Sequence, residues 1–142
     1  MSKYRIALFI GRFQPFHNGH LYSLKKCFEI AENLIVGIGS SQESGTEDNP
    51  WDYETRKKMV ESVLRGSSSQ VVAIPDLFND QKWGEQIVSL IEEAGYEPDQ
   101  VVGVGNNDWT NRILKARGIM VYETGFYKRD ELEGVKIRTL LN

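Results

Sequence analysis

Tyr4-Arg5-Ile6-Ala7-Leu8-Phe9-Ile10 runs directly into Gly11-Arg12-Phe13-Gln14-Pro15-Phe16-His17-Asn18-Gly19-His20. The first part is apolar, with β-branched and aromatic residues and no polar alternation, the pattern of a strand buried on both faces. The second part is a glycine-bearing turn that opens a helix. Asn18 is a fitting cap, and Leu21, Leu24, Phe28 and Ala31 follow at helical spacings of three and four. The same strand–turn–helix unit then recurs. Strands are predicted at 34–38, 70–74, 100–104 and 119–122. Helices are predicted from Asn49-Pro50 or Asp52 to Gly66, with Met59, Val60, Val63 and Leu64 inward, and over 82–94, with Ile87, Leu90, Ile91 and Ala94 inward. Two short helices complete the chain, at about 109–115 and 134–141. Strict alternation of this kind predicts an α/β fold: a Rossmann-like open parallel five-stranded sheet with helices on both faces.

An open parallel sheet binds its ligand beyond the carboxyl ends of its strands, at the point where strand order reverses. The segments to watch are therefore 11–20, 39–51, 75–83, 105–112 and 123–129. The rest of the sequence narrows what they can do. With 142 residues, 40% of them hydrophobic, the chain is one domain long and has enough apolar material for a core. Seventeen Lys and Arg against twenty Asp and Glu leave a net charge of −3, which argues against bulk nucleic-acid binding. Cys27 is the single cysteine, so no intrachain disulfide can form, and its place two turns into the first helix assigns it to the core. The longest apolar run, Ile6 to Ile10, is too short to span a bilayer. A cytoplasmic protein without a membrane partner or a leader segment is expected.

The turn after the first strand is the richest in chemistry. A helix N-terminus offers unpaired N–H groups and a positive dipole end, a seat for phosphate. Gly11 and Gly19 allow close backbone approach. His17 and His20, the only two histidines, stand three residues apart there, and Arg12 adds a charge that neutral pH does not remove. No third His or Cys completes a zinc site with the histidines. Gly39 and Gly45 are not followed by Gly-Lys-Ser/Thr, so there is no P-loop. Gly103-Val104-Gly105 starts a dinucleotide fingerprint that Asp108 then breaks.

The stretch Gly11 to His20 resembles the signature of the archaeal-type nicotinamide mononucleotide (NMN) adenylyltransferases, which belong to the H-x-G-H nucleotidyltransferase superfamily. Ser40-Ser41, Asn49-Pro50-Trp51 and Arg56 are similar to that family's second phosphate-binding region. Pro75-Asp76, Asn79 and Trp83 resemble its pattern after the third strand, and Gly105-Asn106 its turn after the fourth. Arg138 resembles its late arginine. Asn107 and Val135 depart from it, standing where the family usually has proline and threonine.

The resemblance implies a single nucleotidyltransferase domain over 1–142 and a set of roles. Arg12, His17, His20 and Arg138 are implied to hold the ATP phosphates as the catalytic set. Gly11, Phe13, Gly19 and Gly105 are implied to shape the ATP site. Arg56 is implied to meet phosphate in the reacting region. Asp76, Asn79 and Trp83 are implied to receive the nicotinamide end, with Trp83 stacked on the pyridinium ring. The implied reaction moves AMP from ATP to NMN, giving NAD and pyrophosphate, with Mg²⁺ carried in by ATP, no protein-held metal and a homo-oligomeric enzyme. Two alternatives stand beside it: a nucleotidyltransferase acting on another phosphorylated acceptor, and a module that senses ATP or NAD without turnover.

Overall fold

The computed structural model describes residues 4–125. Along the chain lie β1 (Tyr4–Gly11), α1 (Asn18–Ile30), β2 (Ala31–Gly39), α2 (Tyr53–Val63), β3 (Ser69–Ile74), α3 (Asp80–Glu93), β4 (Val101–Val104), α4 (Asp108–Ala116) and β5 (Met120–Tyr122), with a 3-10 turn at Pro98–Gln100 before β4. The strands form one sheet in the order β3-β2-β1-β4-β5, and all four pairings are parallel. The chain steps outward from β1 to β3, then returns to place β4 on the other side of β1. The strand order therefore reverses between β1 and β4, and a crevice opens above their carboxyl ends.

Side-chain alternation divides the core. Ala7 and Phe9 of β1 face α1 and α2 and pack with Leu24, Cys27 and Val60. Ile6 and Leu8 face the other way and pack with Ile87 and Ile91 of α3 and Ile113 and Leu114 of α4. Covering both faces is what makes the strands read as continuous apolar runs. Cys27 is buried, and burial pushes its thiol up to about 12, so it is an inert core residue at neutral pH. No helix among the described residues is long and apolar enough to cross a membrane.

The predicted elements are all present within the described residues, with local corrections. His17, not Asn18, caps α1. That helix buries Ser23, Leu24 and Cys27, while Phe28 is exposed. It ends at Ile30, and Ala31 already pairs with Tyr4 as the first residue of β2. In α2, Val63 is exposed, and the inward positions belong to Arg56 and Val60. A polar residue thus occupies a place that hydrophobic periodicity gives to an apolar one. The helix predicted over 134–141 lies outside the described residues.

Candidate active site

The turn after β1 is organised around its two histidines. The Gly19 N–H donates to His17 Nδ1 at 3.1 Å, and the His17 N–H donates to His20 Nδ1 at 3.1 Å. This is a capping box built from imidazoles in place of the usual hydroxyl and carboxylate. The rings stack with centroids 3.7 Å apart. A Cβ on Gly19 would stand 2.9 Å from His17 Cε1, so only glycine admits the His17 ring in this position. Burial, and then the neighbouring His17, push the His20 imidazole down to about 3. His20 is therefore neutral at physiological pH. With Nδ1 used as an acceptor, its proton sits on Nε2, and it can offer an N–H donor without a positive charge.

Aromatic rings support the pair. His20 lies 4.6 Å from Phe13 and 5.4 Å from Phe16 between centroids. Phe13 is buried and holds a left-handed backbone, φ 54°. Its ring lies against Gly11, where a Cβ would meet it at 3.0 Å. Arg12 is the exposed cation of this turn and donates to Asn49 Oδ1 at 3.3 Å. Ser40, just after β2, and Phe78, after β3, also have left-handed backbones, φ 49° and 56°. Non-glycine residues in this region are strained and gather at functional sites. Gly105, just after β4, has φ 156°, a conformation open in practice only to glycine.

Arg56 requires a correction. Its side chain has no exposed surface. Nη1 donates to the carbonyls of Arg12 (3.1 Å) and Gly39 (3.0 Å). Nη2 donates to those of Ser40 (3.2 Å), Ser41 (3.4 Å) and Glu43 (3.1 Å), and Nε to that of Asp52 (3.2 Å). Every edge of the guanidinium is spent on main chain, so it does not meet a phosphate. It fastens the β1–α1 and β2–α2 loops together from beneath. Burial lowers its pKa, yet a guanidinium stays charged at any relevant pH. Gln14, also buried, makes a second tie, donating to the Trp51 carbonyl at 2.9 Å and accepting from the Trp51 N–H at 3.0 Å.

Beyond β3 lies a hollow of about 160 Å³, lined among others by Asp76, Phe78, Asn79, Asp80, Trp83 and Trp109. The Asn79 side chain caps α3, accepting from the Lys82 N–H at 2.9 Å. Asp76 pairs with Gln42 of the β2–α2 loop through its own N–H (3.1 Å) and its carboxylate (3.3 Å). Trp83 lines the hollow but is only 4% exposed, because it belongs to the core with Ile87, Ile91 and Ile113; Trp109 meets it with ring centroids 4.6 Å apart and planes inclined by 54°. After β4, Asn106 binds Thr124 and Gly125. Asn107 caps α4 by accepting from the Thr110 N–H, which explains its tolerance at this position.

The sequence-predicted residues thus fall into three groups. Gly11, Arg12, Phe13, His17, Gly19 and His20 share the β1–α1 turn, with Gly105 at the neighbouring end of β4. Asp76, Asn79 and Trp83 line the hollow. Arg56 lies under the loops, and Arg138 is outside the described residues. No three His, Cys, Asp or Glu side chains converge on a cation position among the described residues. Sequence reading missed Gln14 as a loop tie and Trp109 as a lining residue. The position of Trp109 in the segment after β4 was the available signal.

A family model described as cytidylyltransferase-like matches residues 8–124. A nicotinamide-nucleotide adenylyltransferase from Archaeoglobus fulgidus is 33% identical over 140 residues, covering 93% of this chain and 77% of that protein. One from Methanolobus tindarius is 34% identical, covering 94% and 75%. A crystal structure of a bifunctional NMN adenylyltransferase/ADP ribose pyrophosphatase from Francisella tularensis, complexed with AMP and a Mn ion, matches with a TM-score of 0.82 at 26% identity. That match covers 96% of this chain and 41% of the bifunctional one, so the chain spans about two-fifths of that protein's length.

Proposed function

The chain belongs to the cytidylyltransferase-like family, and from that premise we propose that it is a nicotinamide-nucleotide adenylyltransferase, transferring AMP from ATP to NMN. A phosphate oxygen of NMN attacks the α-phosphorus of ATP, the bond to the bridging oxygen breaks, and NAD and pyrophosphate leave. The attacking oxygen is already an anion, so no general base is required. What remains is alignment and stabilisation of charge on the phosphates.

The observation that carries the proposal is the His17–His20 capping box at the switch point of the sheet. In our reading His20, neutral, donates from Nε2 to phosphate oxygens with His17 beside it, and Arg12 supplies positive charge from the exposed side of the turn. Arg138 is assigned the same task from the C-terminal segment. Gly11, Phe13, Gly19 and Gly105 give the nucleotide its backbone surface. Asp76, Asn79 and Trp83 border the acceptor's place. Arg56 acts on none of these ligands and fixes the loops that do.

A divalent cation, Mg²⁺ in our reading, enters with ATP and screens its phosphates. Mg²⁺ keeps much of its water and is held largely through substrate phosphates in such reactions.

The test is incubation of purified protein with ATP, Mg²⁺ and a panel of phosphorylated acceptors, with assay of pyrophosphate and dinucleotide. NAD formation with NMN is expected. Pyrophosphate released with a different acceptor would move the substrate, and binding of ATP without any release would replace the enzyme by a sensor.

A further inference from the structure

We infer that Asn49 is a positioning residue for Arg12: its amide oxygen holds the guanidinium in place and, being uncharged, leaves the positive charge unspent. This role rests on the phosphate reading of Arg12 above and says what prepares that side chain for it. An exposed arginine samples many rotamers, and a ligand that uses it must offset the entropy of fixing it. Arg12 is exposed, and its Nη1 donates to Asn49 Oδ1 at 3.3 Å. Asn49 is half-buried and lies 37 residues further along, so the bond crosses from the β1–α1 turn to the β2–α2 loop.

Both ends of this bond stand on anchored main chain. The Asn49 N–H donates to Thr46 Oγ1 at 2.9 Å, and the Asn49 carbonyl accepts from the Thr46 N–H at 3.3 Å. The next carbonyl, that of Pro50, accepts from the Gly45 N–H at 3.2 Å. Trp51 is joined to Gln14 in both directions, and Arg56 holds the Arg12 carbonyl. None of these anchors uses the Asn49 side chain, whose Oδ1 goes to Arg12. The choice of an amide is the telling part. The loop is acidic, with Glu43, Glu47 and Asp48, yet an uncharged residue stands at the position that reaches Arg12. A carboxylate there would form a charge-assisted bond about twice as strong and would compete with phosphate for the same guanidinium. An amide oxygen orients the fork and yields it.

The test is a double-mutant cycle on the full chain, read as the Kd for ATP with Mg²⁺ by calorimetry in the absence of NMN. Steady-state KM for ATP gives the same comparison where binding is too weak to titrate. Asn49→Asp should weaken ATP about tenfold, and Asn49→Ala only about two- to fivefold. That order is the signature of a charge left unspent. A merely structural asparagine would give the reverse, because aspartate keeps its shape and its acceptor oxygen. In an Arg12→Ala background both substitutions should change affinity by less than twofold. ATP affinity unchanged in Asn49→Asp, a greater loss in Asn49→Ala than in Asn49→Asp, or the full penalty persisting without Arg12 would each overturn the inference. An Arg12→Ala variant that binds ATP like the wild type would sink the phosphate role of Arg12 and this inference with it. Failure of the enzyme reading is told apart, because wild-type protein that binds ATP yet forms no dinucleotide leaves the comparison of affinities intact.

Discussion

The His17 main-chain N–H donates to His20 Nδ1, and the two imidazoles stack 3.7 Å apart between centroids. This places a neutral imidazole donor at the positive end of α1, the place that the proposed reaction gives to the ATP phosphates. His20→Ala should lower turnover by about 10²–10³. Its contacts with Phe13 and Phe16 also go, so the melting temperature should drop by a few degrees. Turnover per folded molecule, measured beside a thermal melt, separates the two effects. A large melting shift with unchanged turnover would make His20 a packing residue.

The depressed His20 pKa gives stability a pH dependence of known sign. Unfolded, the imidazole protonates near its ordinary 6.5; folded, it resists down to about 3. Above 6.5 both states are neutral and His20 adds no slope. Between the two values the unfolded state binds a proton that the folded state refuses, so stability falls with falling pH, by at most about 1.4 kcal/mol per pH unit. Urea midpoints of the wild type and His20→Phe from pH 7 to pH 4 should diverge, with the variant losing less. Parallel curves would mean that the ring takes up its proton in the folded state.

Arg56→Lys removes a planar fork that serves six carbonyls, and an ammonium has only three donors. Several buried oxygens would be left unpaired. The fold should lose more than about 3 kcal/mol, read as a shift of the denaturant midpoint, and KM should rise for both substrates together. A stable variant that lost only rate would restore Arg56 to the phosphates.

Gly19→Ala separates geometry from stability. Alanine is favoured over glycine inside a helix by up to about 1 kcal/mol, and displacing the His17 cap costs about as much, so the melting temperature should move little. The new methyl would meet the His17 ring at 2.9 Å and displace it, and turnover should drop about ten- to hundredfold. Unimpaired kinetics would show that the position of the His17 ring is not critical.

What the sequence disclosed and what it hid follow from the same physics. Strands buried on both faces announce themselves as apolar runs, so the sheet was legible from Ile6-Ala7-Leu8-Phe9-Ile10 and its counterparts. Helix faces were less so. Phe28 and Val63 fit the helical period yet are exposed, whereas Arg56, a polar residue seven positions before Val63 on the same side of α2, is buried. The histidine pair was legible as two rare residues on one turn, but its neutrality was not, since that depends on burial and on main-chain partners. Arg56 misled for a related reason. An arginine beside a phosphate-type loop binds anions when it is exposed, and only three-dimensional burial reveals that its partners are carbonyls.

The left-handed backbones at Phe13, Ser40 and Phe78 bear on how this chain tolerates selection for heat resistance. Each such residue costs on the order of 1–3 kcal/mol, a noticeable share of the roughly 5–15 kcal/mol that separates a typical fold from its unfolded chain. Replacing Ser40 or Phe78 by glycine would relieve that cost at once. A library screened for melting temperature alone is therefore drawn to those two positions first. The variants it returns would be hardier molecules with slacker rims, their loops no longer obliged to leave the sheet in the one direction that frames the crevice.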